Sequence, residues 1–189
     1  MQVLTKMAIC LFCNDKDEQI PISQADAKYK RYIGNGAPKH FLSWSNNLTW
    51  RNFDLSVFFR GTFGFDVFNM RKYGMGLQGC GTDNVLRSAY LEDKNIRTGG
   101  GVISSYFLED GSFIKLENVT LGYNFTPKNR KLLDNMRIYL SAKNLFTLTG
   151  YSGNDPSIID VNGIQPGVDS NSAYPTATQL SLGVTLRFK

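Results

Sequence analysis

Five stretches of the chain alternate apolar and polar residues with a period of two, the spacing of a strand whose two faces meet different surroundings. In "FLSWSNNLTW", Leu42, Trp44, Leu48 and Trp50 share one face, while Ser43, Ser45, Asn47 and Thr49 share the other. "NFDLSVFFRG" sets Phe53, Leu55, Val57 and Phe59 against Asp54, Ser56 and Arg60, with Phe58 out of phase. "NVTLGYNF" opposes Val119, Leu121, Tyr123 and Phe125 to Asn118, Thr120, Gly122 and Asn124. "RIYLSAKNLF" opposes Ile138, Leu140, Ala142 and Phe146 to Arg137, Tyr139, Ser141 and Lys143. The last stretch, "QLSLGVTLRFK", places Leu180, Leu182, Val184, Leu186 and Phe188 on one side and Gln179, Ser181, Gly183, Thr185 and Arg187 on the other. The pattern predicts an all-β fold of antiparallel, up-and-down strands.

The connections predict more than the strands do. Strands one and two meet near Trp50–Asn52, and strands three and four are joined by a short basic turn at Thr126–Asn135 opened by Pro127. Between them lie two long connections, Asp66–Gly111 and Thr149–Pro175. Loops of such length are uncommon in a compact soluble domain. Alternating short turns and long loops are what a transmembrane β-barrel shows, with the turns in the periplasm and the loops outside. If the last strand ends in the periplasm, both short turns are periplasmic and both long loops extracellular. Trp50, Phe53, Tyr123, Phe125 and Phe188 then gather at the short-turn ends, where an aromatic girdle belongs. Within the first long loop, "TDNVLRSAYLEDKN" predicts a short helix starting near Thr82 or Asp83. Segment 149–175 reads as loop throughout.

Composition narrows the chemistry. The longest apolar run, Met7–Cys13, falls far short of a membrane-spanning helix, which leaves strands as the only spanning element. The net charge of +5 is spread over small clusters such as Lys28–Arg31 and Lys128–Lys131, so no nucleic-acid interface is expected. Cys10 and Cys13 have C-x-x-C spacing, but no second pair follows and Cys80 is distant. The lone histidine, His40, completes no zinc site or His-dependent triad. "NDKDEQ" lacks the glycine and final Glu of a calcium loop, and "GNGAPK" lacks phosphate-loop spacing and reads as a turn. The expectation is no catalytic residue, no metal and no cofactor: the chain is not an enzyme.

Four segments, "YIGNGAPKHFLSWSNNLTWRNFDLSVFFRGTFGFDVFN", "FLEDGSFIKLENVTLGYNF", "RIYLSAKNLFTLTGYSGNDP" and "LSLGVTLRFK", in this order and spacing, resemble the C-terminal β-barrel segment of the SusC/RagA family of TonB-linked outer-membrane proteins. The resemblance divides the chain into a non-matching segment, 1–29, and part of a TonB-dependent receptor barrel, 30–189. It implies a 22-stranded barrel of Gram-negative outer membranes, of which these five strands form a partial, open section. It also implies an N-terminal plug, an energising TonB complex, a SusD-type extracellular lipoprotein and import of glycans or peptides. The terminal strand (Leu180, Leu182, Val184, Leu186, Phe188) resembles the signal read by the barrel-assembly machinery, its apolar side facing membrane lipid.

This chain carries no recognisable plug or TonB box, so it is expected to be a fragment and inactive alone. Within the loops, Tyr151, Asp155 and Tyr174 are the expected polar or stacking contacts to a sugar. The competing reading is a soluble all-β carbohydrate-binding module, with the apolar strand faces packed on each other as a sandwich.

Overall fold

The computed structural model describes residues 32–76, 84–91, 103–127, 133–159, 166–170 and 174–189, with the backbone of 11–13 and 19–21. In chain order the strands are β1 (Leu11–Cys13), β2 (Gln19–Pro21), β3 (His40–Trp50), β4 (Phe53–Phe63), β5 (Asp66–Asn69), β6 (Leu108–Asp110), β7 (Phe113–Phe125), β8 (Leu133–Thr149), β9 (Val168–Asp169) and β10 (Gln179–Phe188). Two short helices, α1 (Met70–Met75) and α2 (Ser88–Leu91), and two 3₁₀ turns, Ser105–Phe107 and Pro156–Ile158, lie in the long connections. The chain divides into two compact units. One comprises Met1–Ala37, Asp66–Glu109 and Ile159–Ala173, the other Pro38–Phe65, Asp110–Ile158 and Tyr174–Lys189.

The second unit is built on one five-stranded antiparallel sheet in the order β10-β8-β7-β4-β3. These are the five strands the alternation predicts, and each pairs with its expected sequence neighbour. Their register turns the alternation into rows. Leu182, Leu140, Leu121, Leu55 and Leu48 stand opposite one another across the sheet, one leucine from each strand. One residue along, on the other face, runs the row Ser181, Ser141, Thr120, Ser56 and Asn47.

The apolar face is uncovered. Leu42, Trp44, Leu48, Trp50, Leu140, Leu180, Leu182, Val184 and Leu186 are all exposed. A soluble monomer rarely leaves so continuous an apolar surface in water. A sandwich would place a second sheet here, and among the described residues none does so. Along β3 the apolar positions run from Leu42 to Trp50, with Asn46 the one interruption. At about 3.4 Å per residue and a tilt of about 40°, they cover about 21 Å of depth, near the ~25 Å apolar band of outer-membrane barrels. Trp50, Phe53 and Tyr123 pack at its short-turn end, with ring centroids 6.5 Å and 4.8 Å apart.

Two departures from the simple alternation have one cause. Phe58 faces Asn118 but Phe59 faces Leu116, so Glu117 is an additional residue on β7. Across the next pair Leu116 faces Phe146 and Asn118 faces Lys143, leaving Asn144 and Leu145 as a larger bulge on β8. Asn144 takes the left-handed conformation (φ 52°) that Asn tolerates better than most residues. The bulge flips the phase of β7. Ile114 and Leu116 therefore share the apolar face with Val119 and Leu121, and β7 starts five residues before the alternation starts. The turn after β7 is likewise shorter than expected, because β8 begins at Leu133.

The first unit holds structure that the sequence reading left as loop. β5, β6 and β9 form a three-stranded sheet in the order β6-β5-β9, with β5 and β9 parallel. The helix expected in this region is α2, at Ser88–Leu91. Its expected start, Thr82 or Asp83, lies outside the described residues, as do the boundary at 29/30, the side chains of Cys10, Cys13 and Cys80, the "NDKDEQ" side chains and the basic clusters. A second helix, α1, was not foreseen; the Asn69 side chain caps it by accepting from the Lys72 N–H (2.8 Å). Phe68, Tyr73, Tyr106 and Phe107 pack edge to face beside it. The backbone of β1 and β2 forms a small antiparallel pair.

The turn read from "IGNGAPKH" proves to be a packing junction. A Cβ on Gly36 would come within 2.0 Å of the Pro166 carbonyl oxygen, and one on Gly34 within 2.5 Å of Leu108. Asn35 exchanges hydrogen bonds with Asp66, its N–H donating to the Asp66 carboxylate (2.9 Å) and its carbonyl accepting from the Asp66 N–H (2.8 Å).

Candidate functional site: the polar face and its loop tether

The polar face of the large sheet is a surface of paired charges and hydroxyls. Near the short turns, the Asp54 carboxylate accepts from Asn124 Nδ2 (2.8 Å) and from Arg137 through both Nε (3.1 Å) and Nη2. Gly122 makes room for this cluster, since a Cβ there would lie 2.5 Å from the Asp54 oxygens. One row further, Thr120 donates to Ser141 (3.1 Å). Toward the long-loop end, Arg60 pairs with Glu117, the additional residue of the bulge (2.9 Å).

Directly opposite Arg60 in the ladder stands Lys115. Two cations side by side repel, and each has its own counter-ion. Lys115 is 2% exposed, so its ammonium needs all its donors satisfied. It donates to Asp155 Oδ2 (3.1 Å), Ser157 Oγ (2.8 Å) and Thr176 Oγ1 (2.7 Å), three acceptors for three N–H bonds. The Thr176 hydroxyl in turn donates a hydrogen bond to Asp155. The Ser157 N–H donates to Asp155 Oδ1 (2.9 Å). Burial pushes the Asp155 carboxyl up, but the hydrogen bonds from Ser157, Thr176 and Lys115 outweigh it and hold the group below its ordinary value.

The three loop residues singled out from the sequence separate here. Asp155 sits inside this cluster at 7% exposure, its oxygens taken up by Lys115, Ser157 and Thr176. Tyr151 is buried too, and its ring lies where a side chain on Gly153 would stand. Tyr174 is 88% exposed. The terminal-strand residues Leu180, Leu182, Val184, Leu186 and Phe188 all lie on the apolar face and are exposed. Lys115, Ser157 and Thr176 were missed. The only local signal was a lysine on the polar face between Ile114 and Leu116, and its partners lie 40, 42 and 61 residues away.

Among the described residues no group of three or more His, Cys, Asp or Glu could hold a metal ion, and no helix is long and apolar enough to cross a membrane.

No family model matches the chain. Individual relatives do. TonB-dependent receptor P3 of Formosa agariphila is 28% identical over 195 aligned positions, covering 92% of this chain and 18% of the receptor. TonB-dependent receptor SusC of Bacteroides thetaiotaomicron is 28% identical over 153 positions, covering 76% of this chain and 14% of SusC. The chain thus spans less than a fifth of these relatives' length. Among solved structures, the RagAB peptide transporter superposes with a TM-score of 0.74 at 24% identity, covering 96% of this chain and 21% of that one. The same importer in its open-open state gives 0.72 at 23% identity. The resemblance to a SusC/RagA-type barrel segment is borne out, and so is the partial, open, antiparallel all-β fold.

Proposed function

We propose that this chain forms part of the barrel wall of a TonB-dependent nutrient importer in the outer membrane of a Gram-negative bacterium. One observation carries the reading: a sheet that leaves large apolar side chains exposed on one face of all five strands, backed by a polar face of paired charges. The likeness to TonB-dependent receptors supports it. In this reading the apolar face meets lipid, the polar face lines the barrel interior, and the terminal strand presents Leu180 to Phe188 to the barrel-assembly machinery. The long connections face outward toward a SusD-type lipoprotein and a glycan or peptide substrate, and a TonB complex energises the whole transporter. Of the three loop residues, Tyr174 has the exposure to stack on a substrate. The chain has no catalytic role.

Alone, the chain is inactive as a transporter. β10 and β3 form the two edges of the sheet, and each unpaired backbone group costs several kcal/mol in lipid. Unpaired edges also invite aggregation. The purified chain is expected to need detergent, and vesicles carrying it are expected to take up neither maltooligosaccharides nor peptides above empty controls. A stable, monodisperse monomer in detergent-free buffer would sink the membrane reading in favour of a soluble carbohydrate-binding module. Uptake above the control would sink the claim of inactivity.

A further inference from the structure

We propose that Lys115 is a positioning residue that ties both ends of the β8–β10 connection to the sheet through one ammonium group. The inference deepens the reading above, since this connection would carry the exposed substrate-facing residue, Tyr174. It rests on that reading only for the meaning of Tyr174, not for the tether itself.

The geometry is specific. Asp155 and Ser157 follow β8, and Thr176 lies three residues before the start of β10. These two points of the chain meet at Lys115 Nζ, each within hydrogen-bond distance. They also meet each other, since Thr176 donates to Asp155. A second clamp lies nearby: Asn144 Nδ2 donates to the Ala177 carbonyl (3.2 Å), and the Thr178 hydroxyl donates to the Asn144 carbonyl (2.9 Å). That clamp holds only the β10 side. Lys115 binds both sides, so the departing and returning chain are fixed against β7 at one point. The tether sets where Tyr174 sits, two residues before Thr176. It also explains why Asp155, a plausible sugar ligand by residue type, is committed to the protein.

A shared tether makes a distinctive prediction: loosening one end loosens the other. The test is amide hydrogen exchange on the full chain in detergent micelles. In Thr176→Val, the Ser157 amide, on the opposite end, is expected to exchange about tenfold faster. Lys115→Met is expected to speed exchange at both ends by at least that factor. The β3–β4 hairpin serves as an internal control and is expected to be unchanged. If Lys115→Met does not fold, Thr176→Val and Asp155→Asn decide the matter by themselves. Thr176→Val effects confined to residues 174–178 overturn the proposal, as does uniform loosening of the whole sheet. Binding of a maltooligosaccharide or peptide probe plays no part in these outcomes, so a failure of the transporter reading leaves the tether standing or falling separately.

Discussion

Leu182 and Ser181 are adjacent on β10, both exposed, and on opposite faces of the sheet. The membrane reading assigns one to lipid and the other to the barrel interior. Leu182 belongs to the leucine row, within the apolar side of β10 that runs from Leu180 to Phe188. An arginine on the lipid face near the bilayer midplane costs about 2–4 kcal/mol. Since each 1.4 kcal/mol is a factor of ten, Leu182→Arg is expected to lower partitioning of the chain into vesicles by about 30- to 900-fold. Ser181→Arg places the same charge on the polar face, beside Ser141. Surface substitutions of this kind stay within about 0.5 kcal/mol, a change of little more than twofold. The assay dilutes the chain from urea into phosphatidylcholine vesicles and separates bound from free protein by flotation. The two variants carry the same added charge but lose different residues, so Leu182→Ser, which removes the leucine without adding charge, measures the share of the loss that lost hydrophobicity explains. Equal losses, or a larger loss for Ser181→Arg, would refute the assignment of faces.

Other expectations follow from the polar face and the loops. Gly122→Ala drives a methyl group between Asp54 and Arg137, parting a charged pair, and is expected to destabilise the chain in micelles by about 1–3 kcal/mol, read as a lowered urea midpoint. Gly36→Ala meets the Pro166 backbone rather than a movable side chain; faster exchange of the Phe68 amide, which donates to the Gly167 carbonyl (2.7 Å), reports the opened junction. The Asp155 carboxyl titrates lower in the folded chain than in the unfolded one. Its contribution is therefore complete above the unfolded value of 3.8 and is lost as pH falls through the lower folded value. Protection of the Ser157 amide, corrected for intrinsic exchange, should hold steady from neutral pH to about 5 and decline below about 4. Asp155→Asn should remove the decline; a decline that persists in that variant refutes the cause.

What the sequence made legible was whatever repeats over many residues. The five long strands carry their alternation for ten residues or so, and one apolar residue in two is enough to mark a face. The short-turn aromatics followed from strand direction alone. The parallel pair β5–β9 was illegible because its strands, four and two residues long, are too short to show a period. The tether was illegible for a different reason. Lys115, Asp155, Ser157 and Thr176 each look like ordinary polar residues, and only the closure of a long connection brings them together. Asp155 shows the hazard: its residue type suggested a ligand, while its surroundings bind it to the protein.

The bulges join these two kinds of information. A strand with a strict period of two tolerates no slip, because moving by one residue sends every side chain to the other face. On β10 a slip would put Ser181, Thr185 and Arg187 on the apolar face and turn Leu180 to Leu186 to the polar one. The leucine row across all five strands therefore fixes the register of the whole lower sheet. Beyond it, β7 carries an additional residue at Glu117 and β8 a larger bulge at Asn144. The insertion re-phases β7, so that Ile114 and Leu116 stay on the apolar face while Lys115 points to the polar one. Without that shift, Lys115 would lie on the apolar face and Asp155 would lose its cation. The break in the alternation at Glu117 is thus the feature that lets one strand keep its apolar face in phase and still hold a loop through Lys115.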